Sequence, residues 1–479
     1  MIERFAGFRL NKEFFIGIAV ILIGVAVVVP YLGGSGLSYK DIIIGLSGVA
    51  AAVIIFGGER GIRFGLVLWV LTMALGYRTI EWTKDLRIHP SEILIWLLFA
   101  CIFFQRELRS STRFSLPWWL WLMIPFWALA WWPLIAGDAL WDRMLNEFRD
   151  FLLIIPVLIV LSVVLERPAY WRYLLMVFFV VSSWIAFFGV AEYWFPGVQK
   201  LFPAFISAAK PEVTADGFMR AQFSFWGGSQ ATFICVLALP GAIFLATWWR
   251  GWMARIAIIV AAVFQIMAIY IGGYRSIWFV LLVQVLAASI LRLKKHGVAI
   301  ALLVLVVAAA GYQFIPNTNE RVITGLAALR GAPIDHSARD RQDRALEAVN
   351  GAIESPLGKG WSSAGWVHSD FLQVAANLGI LAGLIFLGGY LHTLLRLGRQ
   401  MPIWLKATSQ GELGLFLLLS FLGVGGLLAM QGVEVLPQMV LPAWFVWSMV
   451  EIWLRQTSEA KELSYSYAPA NLYPAANFQ

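Results

Sequence analysis

Long apolar runs recur along this chain, and that recurrence constrains its fold more than any other feature. The runs lie near 14–33, 41–57, 63–77, 91–104, 115–136, 151–165, 171–195, 231–249, 255–273, 276–291, 298–315, 371–391, 412–431 and 436–454. A helix needs about 20 mostly apolar residues to cross a bilayer, and hydrocarbon offers no partner to an open backbone N–H or C=O. The pattern predicts an all-α polytopic integral membrane protein with about 12–14 transmembrane helices. The runs 63–77, 91–104 and 151–165 are short and need flanking residues to cross. Composition agrees, with 60% hydrophobic and 13% charged residues, against about a half and a quarter in soluble domains. Cys101 and Cys235 both fall inside apolar runs, so they read as packing residues and not as a disulfide framework. The first run has a basic flank and no small-residue cleavage site, which reads as a retained span.

Lysine and arginine in the connecting segments set the orientation. With the N-terminus placed in the cytoplasm and the spans alternating, the inner side holds 20 Lys and Arg against 9 Asp and Glu. The outer side holds 16 against 19, so the net charge of +8 resolves into +11 inside and −3 outside. That asymmetry accounts for the basic balance without nucleic acid. Both termini are expected in the cytoplasm. The tryptophan-rich run at 117–134 is expected to anchor at the membrane interfaces and to pack.

Three features then fall together on the outer side. Arg220 stands in "DGFMRAQFSFWGGSQATF", just ahead of the span that opens at Ala231. Arg275 stands in "IYIGGYRSIWFVLL", at a turn too short to lift it far from the bilayer, where an arginine either snorkels to the headgroups or pairs. The long loop 316–370 ends in His368. Within it, Leu346, Val349 and Ile353 recur at helical spacing, while Arg339, Arg341, Asp343, Arg344 and Glu347 are polar. This predicts an ordered helix lying over the membrane surface and stopped by the turn Pro356-Leu357-Gly358-Lys359-Gly360. After His368, either Ser369 or Asp370 can cap the next helix. Arginines bind phosphate through planar, charge-assisted forks, and a neutral histidine can take a proton from a hydroxyl. Together they suit a phosphate-bearing lipid substrate.

At these residues the sequence resembles the O-antigen ligase/polymerase family, membrane glycosyltransferases of the GT-C type. The resemblance spans roughly 215–390. It rests on His368, Ser369 and Phe371-Leu372, with Gly379 eleven residues after the histidine, on the upstream turn "SPLGKGW", and on "FMRAQFSF" and "GGYRSIW". The chain departs from the family after Arg220, where Phe223 and "GGSQ" stand. It also departs at Ala382, and at Asn377, where the family usually has an acidic residue.

The resemblance implies transfer of a saccharide from an undecaprenyl-diphosphate-linked glycan to an acceptor hydroxyl at the periplasmic face of a bacterial inner membrane. The acceptor would be lipid A-core or a second lipid-linked glycan. His368 would be catalytic. Arg220, Arg275 and one of Arg339, Arg341 and Arg344 (Arg344 favoured) would hold the diphosphate, with Ser369, Asp370 and Gly379 in support. No metal and no cofactor is expected, since the sequence shows neither a carboxylate cluster suited to Mg²⁺ nor a His/Cys ligand set. The expected organisation is N-terminal spans over 1–195, a core over 196–391 that includes the loop 316–370, C-terminal spans over 392–454 and a tail over 455–479. A protein O-oligosaccharyltransferase shares the fold. A lipid-linked-glycan transporter is the alternative from another class.

Overall fold

The computed structural model describes residues 54, 58–73, 80–81, 87–104, 116–135, 141–166, 168–195, 228–249, 251–293, 336–363, 367–401, 409–430 and 437–466. Its first helices are α1 (Gly58–Met73), α2 (Pro90–Phe104), α3 (Trp118–Leu129) and α4 (Trp132–Ile135). Next come α5 (Trp141–Leu152), α6 (Ile154–Val164), α7 (Pro168–Trp194) and α8 (Gly228–Ala238). They are followed by α9 (Gly241–Trp248), α10 (Trp252–Gly272), α11 (Arg275–Leu293) and α12 (His336–Glu354). The last are α13 (Asp370–Leu378), α14 (Ile380–Gly398), α15 (Ser409–Met430) and α16 (Pro437–Ser466). Two two-residue strands, β1 (Ile80–Glu81) and β2 (Arg87–Ile88), pair antiparallel between α1 and α2.

Four described helical stretches are long and apolar enough to cross a membrane: Tyr170–Trp194, Trp252–Gly272, Ile380–Gly398 and Gln410–Met430. Shorter apolar helices cover Gly61–Met73, Pro90–Phe103, Trp118–Leu129 and Ser276–Leu291. This is an α-helical membrane protein. The stretch Trp252–Gly272 turns a stripe of Trp252, Ile256, Ile259, Val263 and Ile266 outward, as lipid contact requires. The expected spans 14–33 and 298–315 lie outside the described residues, as does 41–57 apart from Ile54. Cys101 and Cys235 are buried and free.

Three expected continuous spans are each in two pieces. The run 115–136 divides between α3 and α4, 231–249 between α8 and α9, and 371–391 between α13 and α14. At the second break the cause is Pro240, which has no N–H to offer Val236 four residues earlier. The structure answers from neighbouring helices. Gln284 Nε2 on α11 donates to Val236 O at 3.1 Å and to Leu419 O at 2.9 Å. Ser420 Oγ on α15 donates to Leu237 O at 2.8 Å. A buried carbonyl without a donor costs about 1–3 kcal/mol. Gln284→Leu keeps most of the volume and removes both bonds. Purified protein carrying it is expected to unfold earlier on heating in detergent, by about 1–3 kcal/mol of stability. An unchanged midpoint would show that the break is held some other way.

The helix ends meet in two sets. At one end, Arg63 Nε on α1 donates to the Tyr170 hydroxyl at 2.6 Å. There too, Gln456 Nε2 on α16 donates to Leu165 O at 2.9 Å, and Arg396 pairs with Glu451 at 2.9 Å. At the other end, Arg149 pairs with Glu92 at 2.7 Å, and Trp444 Nε1 donates to Asp150 O at 3.0 Å. The loop after α12 meets α3 and the α13–α14 break at this second end.

Candidate functional site

The second end is organised by the loop 355–363, which completes three helix termini. The last carbonyls of a helix have no partner within it, and neither do its first N–H groups. At the end of α13, Lys359 N–H donates to Ala376 O at 3.4 Å and Gly360 N–H to Asn377 O at 2.9 Å. At the start of α14, Ile380 N–H donates to Pro356 O at 3.1 Å. Past the end of α3, Trp361 N–H donates to Ala130 O at 3.2 Å, and its indole Nε1 to Trp127 O at 3.3 Å. The turn "SPLGKGW" and Gly379 were separate marks in the sequence. Here they are one structure.

Glycine is required on both sides of that contact. Gly379 has φ 102° and ψ 158°, and a Cβ there would stand 2.6 Å from Pro356 O. Gly358 has φ 86°, and a Cβ there would meet the carbonyl oxygen of Asn377. Beneath the loop lies an aromatic floor, with Trp361 5.8 Å from Phe151 and Phe151 5.8 Å from Phe386, centroid to centroid.

His368 is half-buried in the segment that leads into α13. Val367 beside it is buried with Ala348 and Ala376, and its N–H donates to Gln373 Oε1 at 3.1 Å. Ser369 takes the N-cap position with φ −145°, but its hydroxyl makes no capping hydrogen bond. Asp370 opens α13, fully buried, beside Phe151, Phe386, Leu428, Val440, Ala443 and Trp444.

The arginines divide. Arg220 lies outside the described residues. Arg275 is the first residue of α11, directly after the turn in which Gly273 takes the left-handed conformation with φ 70°. On α12, Arg339 is exposed and Arg341 half-buried. Arg344 Nε pairs with Asp340 at 3.1 Å, one turn earlier on the same helix, so its charge is answered locally.

The apolar stripe of α12 is left uncovered by the rest of the protein, and the alanines between its residues face inward. Leu346, Val349 and Ile353 are 53%, 38% and 63% exposed, while Ala348 and Ala352 are 4% and 5% exposed. Ala348 packs with Leu372 and Ala376 of α13 and with Val367. Two alanines let the helix backbones approach closely, which branched side chains would prevent.

Four charged residues at this end were not singled out by their sequence pattern. Glu92 accepts the His89 N–H at 2.8 Å while donating its own N–H to His89 O at 2.9 Å. The signal was "HPSE", with proline at the first helical position and glutamate at the third. Glu92 also takes Arg149 of α5. Asp150 is buried at the end of α5, with its Oδ1 3.6 Å from Arg149 Nη2. Burial pushes its carboxyl well above the usual carboxylate range. Arg149 opposes that rise, while Glu92 and Glu147 add to it. Glu147 accepts from the Asn377 side-chain amide and from the Ser362 N–H. Among the described residues, no group of three or more His, Cys, Asp or Glu is placed to hold a metal ion.

The fold and this end of the bundle define the class, an α-helical membrane protein with an ordered loop sealed onto a broken helix. In comparisons with known proteins, no family model matches the chain, and no curated sequence does.

Proposed function

We propose that this protein is a GT-C-like, inverting, metal-independent glycosyltransferase of the O-antigen ligase or polymerase kind. It would sit in a bacterial inner membrane with both termini cytoplasmic, and the second end of the bundle would face the periplasm. The observation that carries this reading is the meeting of the loop 355–363 with the break at Gly379. It joins separate pieces of the motif around a half-buried histidine. A solvated loop with a chance histidine would have no need of that closure.

In this reading the acceptor hydroxyl oxygen attacks the anomeric carbon, and the bond from that carbon to the diphosphate oxygen breaks. Undecaprenyl diphosphate leaves, and the acceptor proton passes to His368. Attack from the face opposite the leaving group inverts the centre. Arg220 and Arg275 hold the diphosphate and stabilise the charge that grows on the leaving oxygen. The place of Arg275 supports this role. A helix start carries partial positive charge, so the first turn of α11, where Arg275 stands, favours an anion. The local pairing of Arg344 with Asp340 weighs against that residue as the third clamp.

The test is transfer by purified protein from undecaprenyl-diphosphate oligosaccharide, with and without lipid A-core, read by product mass and chain length. Transfer to lipid A-core defines a ligase, and lengthened lipid-linked chains define a polymerase. No transfer to either by folded protein would sink both forms of the reading and favour a protein acceptor or a transporter. Arg275→Lys keeps the charge and loses the fork. Removing one such charge-stabilising donor costs about 10²- to 10³-fold in rate, so this milder change is expected to cost at least about tenfold in kcat.

A further inference from the structure

Glu147 lies far in sequence from every residue of the motif, yet it is 5% exposed and reaches two of the motif's segments. One carboxylate oxygen accepts the Ser362 N–H, and the other accepts the Asn377 side-chain amide. Ser363 Oγ, 2.8 Å from its acceptor Gly360 O, also lies 3.2 Å from Asn377 Oδ1, and the amide nitrogen is the atom turned to Glu147. The Ser362 N–H and the Asn377 amide are both donors. An ionised carboxylate offers two acceptor oxygens, whereas a glutamine offers one and sets a donor against a donor.

Ser362 stands six residues before His368, and Asn377 stands nine after it. A single buried side chain on α5 therefore ties Ser362 to Asn377, and His368 lies between these two in sequence. Within the same stretch the Gln373 carbonyl holds the Val367 N–H. We propose that Glu147 is a positioning residue. It touches no substrate, and it fixes both ends of the segment that presents His368 to the acceptor. The proposal rests on the reading of His368 as the proton acceptor. It also gives Asn377 a role, since an acidic residue there would set two carboxylates against each other.

The test exchanges the two partners. Glu147→Gln and Asn377→Asp each leave one mismatched contact. The double variant Glu147→Gln/Asn377→Asp restores the contact between the two side chains with donor and acceptor reversed, and keeps the contact to Ser362. The new amide donates to the new carboxylate, its carbonyl still accepts the Ser362 N–H, and Ser363 keeps an acceptor. Two readouts are taken on purified full-length protein: carbethoxylation of His368 by diethyl pyrocarbonate, followed by mass, and kcat with KM in the transfer assay.

Each single variant is expected to expose His368 to faster modification. Each is also expected to lower kcat by about 10- to 100-fold with KM less affected, since a misplacement near 1 Å costs about that much. The double variant is expected to return both towards wild type. Wild-type reactivity and kcat in the single variants would overturn the proposal, and so would a double variant no better than the worse single. If Glu147→Gln does not fold, the double variant decides alone. Recovery of His368 reactivity and kcat supports the closure, and their loss overturns it. If wild type transfers no glycan at all, the glycosyltransferase reading has failed. The His368 modification series still decides whether Glu147 positions that segment.

Discussion

Gly379→Ala is expected to lower stability by more than about 3 kcal/mol, in the range that only a few mechanisms reach. Its backbone, at φ 102° and ψ 158°, lies in a region that is essentially glycine's alone, and an L-residue held there costs about 1–3 kcal/mol. The added carbon would stand 2.6 Å from Pro356 O and 2.8 Å from the carbonyl carbon of Leu357. Neither neighbour is a side-chain tip that can swing aside. Relief requires the loop to lift off the break. Lifting strips Ile380 N–H of its acceptor, and Asn377 O and Ala376 O of their donors, at about 1–3 kcal/mol for each group left buried. The measurement is thermal unfolding in detergent beside Gly398→Ala, where an added carbon meets nothing within 4 Å. The control is expected to match or slightly exceed wild type. A Gly379→Ala protein that unfolds with the control would mean that the loop does not close on the break.

How far the sequence foretold the structure depends on the kind of signal. The runs 255–273 and 276–291 appear as α10 (Trp252–Gly272) and α11 (Arg275–Leu293), because the glycine pair between them stops one helix plainly before the next begins. The run 371–391 looked just as continuous, yet it divides at Gly379. Hydropathy averages over a window, so a break made of apolar residues and one glycine leaves the average intact. The α12 stripe was legible as a pattern, but the protein contact it leaves to others was not. Periodicity shows where apolar residues lie on a helix, but it does not show which face has a partner. Ala348 and Ala352 are weak signals by hydrophobicity and strong ones by size, and size decided the packing. His368, the glycine turn and Gly379 were legible because their motif is local. Glu147 was not, since its meaning lies in Ser362 and Asn377, more than two hundred residues away.

His368→Ala is expected to lower kcat by about 10²- to 10⁴-fold, the usual loss when a general base is removed, with the unfolding midpoint nearly unchanged. The two halves of this prediction have different grounds. Stability is spared because the side chain is half-buried and its neighbours hold the backbone for it. Val367 is packed against Ala348 and Ala376, and Gln373 N–H donates to Ser369 O at 2.9 Å. Activity is lost because, in the proposed chemistry, no other group takes the acceptor proton. In that chemistry the arginines would bind the donor diphosphate independently, so KM for the lipid-linked donor is expected to stay within about threefold while kcat falls, the pattern of an interaction made in the transition state. Arg275→Lys is expected to change KM as well, because in the proposed chemistry Arg275 would touch the donor before the reaction starts. A His368→Ala protein that retains more than a tenth of wild-type kcat would remove the base from the mechanism. Catalysis would then rest on the diphosphate as leaving group and on the clamp that stabilises it, and the closure by Glu147 would serve to hold the acceptor wall.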